Sequence, residues 1–423
     1  MIRSWARKLL WRQPRSLSKA VAPKIDRSIP IEEETTPLYH PDRFYPITLG
    51  QILNERYQVA TKLGYGGNST VWLCRDFNPF PIPPIVFVKD IPKTICSWDS
   101  SKDSHVAIKV NALHHPGANR CNKGELDIMQ HILRANPQHG GWRYVRKLLD
   151  SFPLEGRYGT HECLVLEPMH MNPGNIMMTT EDPKMFEESA WDEFVNPVPA
   201  KQLNSRTIYK SRRILGPLGC PGIVQISDFD SSSRTEPDKL NTGPVGAEIF
   251  RPPEVILNAG YTYPADIWSL GTMVGPPQHT HRAKLTLQLW YLLEHKDLFD
   301  PKTHGAEEYD AQAHLGQITA LIGPPPLDLL SEGKRTSKFY KTDNTTQNRK
   351  KNSQKVRYTG QLKDPDCIPD DFSFESSITC MESEEKGKFI RFVKRMLKWD
   401  PDERATASEL LEDPWLNDGG SGD

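Results

Sequence analysis

From Tyr57 to Val110 apolar and polar residues alternate with a period of two, and beyond Pro168 that pattern gives way to helical spacing. A period of two puts successive side chains on opposite faces of a strand, whereas apolar residues three or four apart line one face of a helix. A chain with this switch is expected to fold as a small β-rich part followed by a larger helical part, an α+β arrangement. Asn78 to Asp103 interrupts the strands with five prolines. Because proline cannot donate to a sheet ladder, this run is predicted as a long loop between two strands. One helix is predicted from about Asn122 to Ala135, with Leu126, Met129 and Leu133 on one face. Later helices are predicted over Tyr263 to Met273, Glu307 to Ile322, Ser383 to Trp399 and Ala405 to Leu411, and no internal repeat is present.

With 37% hydrophobic and 25% charged residues, the 423-residue chain is globular, with room for about two or three folding units. Fifty-three Lys plus Arg against 54 Asp plus Glu leave no overall electrostatic case for nucleic acid. The seven cysteines are scattered and never spaced Cys-x-x-Cys, which argues against a disulfide framework or a zinc site. No window reaches the 18 or so apolar residues of a membrane span. The first 25 residues hold seven basic residues and no acidic one, with Ile2, Trp5, Ala6 and Leu9 at one-face helical spacing. That is the pattern of a mitochondrial presequence and equally of a disordered basic arm. Ala22 to Asp42 reads as a linker, and the polar basic run Lys334 to Arg357 as a solvated surface insertion.

Leu63-Gly-Tyr-Gly-Gly-Asn-Ser-Thr-Val71 lies between two predicted strands. Such glycines either make a tight turn or let backbone N–H groups approach phosphate oxygens with no Cβ in the way. The following strand argues against dinucleotide-fold and Walker sites, where a helix follows the glycines. In Val106-Ala-Ile-Lys109 a lysine ends an apolar strand, which is costly to bury unless something negative meets it. Its candidate partners are a nucleotide phosphate and Glu125 on the next helix, the alternative being a lysine that snorkels at a sheet edge. Asp228 could be a metal ligand or a turn residue, and Asp266 a buried helix residue or an N-cap.

Glycine turn, Val-Ala-Ile-Lys and helix glutamate in that order resemble the protein-kinase signature set, and the resemblance extends along the chain. Asn172-Pro-Gly-Asn-Ile-Met-Met178 resembles the end of a kinase catalytic loop, and Ile226-Ser-Asp-Phe-Asp230 the Asp-Phe-Gly segment with Asp230 in place of glycine. Phe250-Arg-Pro-Pro-Glu254 resembles Ala-Pro-Glu, Tyr263 to Gly271 the buried-aspartate helix, and Asp400 to Ala405 the late segment whose Arg404 pairs with Glu254. The resemblance implies a bilobal protein-kinase-like fold over 57–416, with an N-lobe at 57–167 and a C-lobe at 168–416, between an arm and linker at 1–42 and a tail at 417–423. It implies ATP contacts from Leu63, Gly64, Gly66, Gly67, Val71, Ala107, Lys109 and Glu167, with Glu125 holding Lys109. Asn175 and Asp228 are implied as Mg2+ ligands. Gly66-x-x-Ser-Thr-Val-Trp72, the 52 residues between Asn175 and Asp228, and the segment His314 to Pro326 are similar to SR-protein kinases, especially fungal ones. This implies phosphorylation of Ser/Thr in a protein substrate, Arg/Ser-rich in the type case, by a monomer of cytoplasm or nucleus, the N-terminal arm leaving the mitochondrion open.

Two places break the pattern. In kinases the catalytic base is an aspartate five residues before the metal-binding asparagine, and here that position is His170. Only seven residues separate Glu167 from Asn175, an interval where the family places two helices and a short strand, on the order of 40 residues. The C-lobe is therefore expected to be truncated internally, with the base absent. Val274 to Gln288 falls inside what should be one helix and carries Gly-Pro-Pro, which would break it. Removing those residues restores the apolar helical spacing, so one deletion and one insertion, both in core elements, point to errors of exon assignment. A competing reading is a nucleotide-binding pseudokinase, and a third is a chain too depleted in core to fold stably.

Overall fold

The computed structural model describes residues 14–16, 18–37, 39–77, 104–113, 123–172, 176–180, 182–214, 222–234, 239–273, 297–301, 308–343, 356–379, 381 and 383–417. The chain divides into two compact units, Met1–Ser233 and Arg234–Asp423.

The first unit is built on β1 (Ile52–Leu53), β2 (Tyr57–Gly66), β3 (Ser69–Asp76) and β4 (Ser104–Asn111), followed by helix α1 (Lys123–Ala135), β5 (Leu148–Gly156) and β6 (Gly159–Leu166). These strands form one antiparallel sheet in the order β1-β2-β3-β4-β6-β5. β3 and β4 pair in unbroken register from Ser69↔Asn111 to Asp76↔Ser104. The loop expected at Asn78 to Asp103 thus connects two neighbouring strands, although it lies outside the described residues. Alternation along β4 decides what each face does. Val106, Ile108 and Val110 join Ile47, Tyr57, Trp72 and Val165 in one core. Ala107 faces the other way, in a cluster with Met129 of α1 and Leu164 and Leu166 of β6.

After Leu166 the chain enters a small hairpin, β7 (His170–Asn172) on β8 (Ile176–Met178). Among the described residues no helix lies between β6 and α2 (Lys184–Val195). Helix α2 packs Phe186 and Ala190 against Leu73 and Ile214, and the strands β9 (Ala200–Gln202) and β10 (Thr207–Tyr209) pair beside it.

The stretch read as a linker is bound to this unit. Lys24 bridges Ala200, and a 3-10 turn at Glu32–Thr35 carries three glutamates onto the sheet. Glu33 pairs with the fully buried Lys62, which also lies 3.5 Å from Glu32, and Glu34 takes the Lys201 ammonium at 2.8 Å. Two buried ammonium groups demand nearby counter-charge, and three consecutive glutamates supply it.

The second unit contains α3 (Pro253–Leu257), α4 (Pro264–Met273), α5 (Ala311–Ile322), α6 (Leu327–Glu332) and α7 (Thr336–Phe339). A short hairpin of β11 (Tyr340–Thr342) and β12 (Tyr358–Leu362) follows, then α8 (Phe374–Ser377), α9 (Ser383–Lys394), α10 (Ala407–Leu411) and α11 (Pro414–Asn417). Its core includes Leu257, Trp268, Leu315, Ile318, Phe389, Val393 and Met396. Two expectations change here. The run Lys334 to Arg357 is not wholly a solvated insertion, because Thr336, Phe339 and Tyr340 are buried. The helix expected to reach Trp399 stops at Lys394, and the chain turns so that Met396, Leu397 and Trp399 enter the core. The insertion at Val274 to Gln288 lies outside the described residues.

Candidate functional site

The residues that the sequence singles out in the first unit converge on one ammonium group. Since Ala107 and Lys109 are two apart on β4, they share the face covered by α1. Glu125 and Met129, four apart on that helix, both turn toward the sheet. Lys109 Nζ lies 2.8 Å from Glu125 Oε1 and 2.6 Å from Asp228 Oδ1. Lys109 and Glu125 are buried, whereas the Asp228 side chain is 69% exposed. Burial alone would push the Lys109 ammonium toward its neutral form, but the Glu125 and Asp228 carboxylates outweigh it and hold its pKa above the usual lysine value. Glu125 is shifted upward by burial, with Lys109 opposing. Its second oxygen, Oε2, is buried without a hydrogen-bond partner.

Asp228 adopts a left-handed backbone, φ 68° and ψ 69°. For an L residue this costs about 1 kcal/mol, less for Asp than for most. The next residue, Phe229, packs against the cluster of Ala107, Met129, Leu164 and Leu166. The ring anchors the segment while the carboxylate points to Lys109.

The glycine hairpin is the second half of the site. β2 and β3 pair through Gly66↔Ser69, with only Gly67 and Asn68 between, and a register shift interrupts the ladder between Lys62 and Gly64. None of Gly64, Gly66 and Gly67 has a left-handed φ, and a Cβ built on Gly64 or Gly67 meets nothing within 4 Å. The turn does not require glycine for its own geometry. What glycine leaves is uncovered backbone. Leu63 and Val71, flanking the turn, pack against the Ala107 cluster.

Glu167 closes the stretch after β6, and its backbone carbonyl accepts two hydrogen bonds from Arg146, from Nε at 3.1 Å and Nη2 at 2.8 Å. Burial lowers the Arg146 pKa to about 10, with Glu167, Asp228 and Glu125 opposing. Arg146 was not visible from sequence, since its partner is a main-chain atom 21 residues away. Asn175 lies outside the described residues. His170, at the position of the base, is fully buried with neither ring nitrogen hydrogen-bonded, and burial pushes its pKa down. Among the described residues no group of three or more His, Cys, Asp or Glu could hold a metal ion.

In the second unit Arg404 meets Glu254 through two bonds of 2.7 Å, with both side chains essentially buried. Arg404 also donates to the carbonyls of Pro264 and Lys398. This is the pair expected from the sequence. Asp266, expected as a buried helix residue, is instead exposed on the first turn of α4.

A six-stranded antiparallel sheet with a lysine on one strand, a glutamate on the covering helix and an aspartate from a later loop defines a protein-kinase type of chain. Comparison agrees. No family model matches the chain. A serine/threonine protein kinase of Aspergillus fumigatus is 29% identical over 95% of each chain, and a serine/threonine-protein kinase SRPK of Physarum polycephalum is 25% identical over 92% of each. The kinase AFC2 of Arabidopsis thaliana is 24% identical over 89% of this chain and 80% of its own. A solved kinase domain superposes with a TM-score of 0.51 at 16% identity, over 88% of this chain and 99% of that one. By relationship and fold the chain is a serine/threonine protein kinase family member, related along most of its length to SR-protein and similar kinases.

Proposed function

We propose that the first unit binds the phosphates of ATP between the glycine hairpin and Lys109, and that the family reaction is transfer of the γ-phosphoryl group to a Ser or Thr hydroxyl of a protein. The observation that carries this reading is the hairpin itself, whose glycines leave backbone bare where neither turn geometry nor crowding requires it. Lys109 supplies the fixed positive charge, and Glu125 holds it from the far side through Oε1. A phosphate reaching Lys109 takes the place now held by Asp228, whose exposed carboxylate is free to swing away. The Arg/Ser-rich substrate class follows only from likeness to SR-protein kinases.

Magnesium, when bound in kinases, neutralises phosphate charge. Of the two residues implied as its ligands, Asp228 is largely exposed and paired with Lys109, and Asn175 lies outside the described residues.

One observation favours a second reading. Only Glu167, Pro168 and Met169 join β6 to β7, and His170, at the sequence position of the base, is sealed in the interior. A positioned base contributes about 10²–10⁴-fold, so this chain should bind nucleotide yet transfer phosphate slowly. Transfer from labelled ATP to an Arg/Ser-rich peptide, with Lys109→Met as the blank, tests both. Binding that disappears in Lys109→Met supports the nucleotide site, and binding unchanged by it refutes the assignment. Transfer at ordinary kinase rates would refute the impaired reading.

A further inference from the structure

Residues 14–16 and 18–26 lie as a strap across the first unit, held at three points. Arg15 pairs with Glu187, and its backbone exchanges two hydrogen bonds with the Gln58 side chain, N to Oε1 at 3.0 Å and O from Nε2 at 2.9 Å. Near the other end, Ile25 N donates to Ala200 O at 3.0 Å and Ala200 N to Pro23 O at 2.9 Å. Between them, the exposed Ser18 donates its hydroxyl proton to the carbonyl of Phe194. Under the strap is a cavity of about 310 Å³ lined also by Gln58, Ala60, Ala190, Glu193 and Tyr209.

We propose that Ser18 is a phosphorylation site and that its modification releases the strap. The sequence Arg15-Ser-Leu-Ser18-Lys19 places a basic residue three before the serine, the chemistry read by a basophilic protein kinase acting in trans. In that step the Ser18 Oγ–P bond forms from ATP and the bond to the ADP oxygen breaks. The hydroxyl proton passes to the modifying enzyme's base and ADP leaves. Three effects of the product act in one direction. The hydrogen donor to Phe194 is lost, because a phosphate dianion only accepts. The new negative charge sits at the last turn of the 12-residue helix α2, where unpaired carbonyls make the dipole negative. That turn also carries Asp192 and Glu193, and Arg212 beside them is already held by both carboxylates and by Asn196 O. If Arg15 turns back to the phosphate, it leaves Glu187, which frees the upstream anchor as well.

The test uses the full chain in two parts. Incubation with a basophilic kinase and ATP, followed by peptide mapping, should place phosphate on Ser18 and none there in Ser18→Ala; an unmodified Ser18 overturns the proposal. Phosphoserine is then installed by codon reassignment at 18 or, as control, at the exposed neighbour Ser16. Hydrogen exchange at the Ile25 and Ala200 amides should quicken about tenfold with phosphate at 18, and stay unchanged with phosphate at 16. Equal quickening by both would mean bulk charge rather than the Phe194 contact and would overturn the proposal, as would no quickening. Amides of β3 and β4 serve as the internal reference, so loss of the fold is read separately from release of the strap.

Discussion

At the residue scale, two ion pairs set in similar burial do different work. Arg404 and Glu254 satisfy each other completely and are tied to backbone on two further sides, a structural arrangement. Removing one partner strands the other, so Arg404→Met is expected to destabilise the second unit by about 3–5 kcal/mol, measured as a lower urea midpoint with unchanged slope. Lys109 is held less completely. One oxygen of Glu125 has no partner and Asp228 is largely in solvent, leaving a charge that an incoming anion can claim. Lys109→Met should therefore abolish nucleotide binding, read by calorimetry with ATP, while shifting the urea midpoint less than Arg404→Met does.

At the element scale, helix α5 is wedged against the turn at Pro365–Cys367. A Cβ on Gly316 would stand 2.2 Å from the Cys367 carbonyl oxygen, and backbone cannot swing aside as a side chain can. Gly316→Ala gains about 1 kcal/mol of helix propensity, yet it should destabilise by about 1–3 kcal/mol net through overpacking, seen in thermal unfolding. The same helix carries His314, fully buried with its ring tilted against that of Phe299, whose pKa falls to about 3 through burial, with Arg251 adding to it. Its folded pKa lies below its unfolded value, so the unfolded chain takes up the proton first. Stability is full above about pH 6.5 and is lost toward pH 3, by up to about 1.4 kcal/mol per pH unit. His314→Asn should flatten that slope in urea titrations at pH 7, 6 and 5.

The elements were legible where periodicity was local. Alternation marked β2 to β4 and placed Lys109 on a strand, and the one-face spacing of Leu126, Met129 and Leu133 marked α1 within a residue of its observed start. The Arg404–Glu254 pair was legible through its motifs, but contacts to main chain and apolar residues inside polar runs were not. Arg146 finds a main-chain carbonyl, which leaves no side-chain signature. The buried Tyr340 and Phe339 hid inside a run whose average character is basic and polar. Asp266 was expected inside and is exposed, in a chain where, as expected, the helices the family places between β6 and the β7–β8 hairpin are missing among the described residues.

At the scale of the whole molecule, the missing interval matters more than any substitution. β6 passes through Glu167, Pro168 and Met169 straight into β7, so there is no scaffold on which an aspartate could be aimed. Inserting a segment of about 40 residues with a catalytic aspartate ahead of Asn172 should raise phosphoryl transfer by about 10²–10⁴-fold, whereas His170→Asp alone should not, because position 170 faces the interior. Steady-state transfer rates of the two variants separate scaffold from side chain.

Lys62 and Lys201 carry a requirement that reaches back along the chain. Their counter-ions come from Glu33 and Glu34, 29 and 167 residues away. A fragment begun at the first long strand would keep both ammonium groups in the interior and discard the carboxylates that neutralise them. Any recombinant version meant to fold has to start upstream of Glu32, and the smallest autonomous piece of this protein is larger than its sheet.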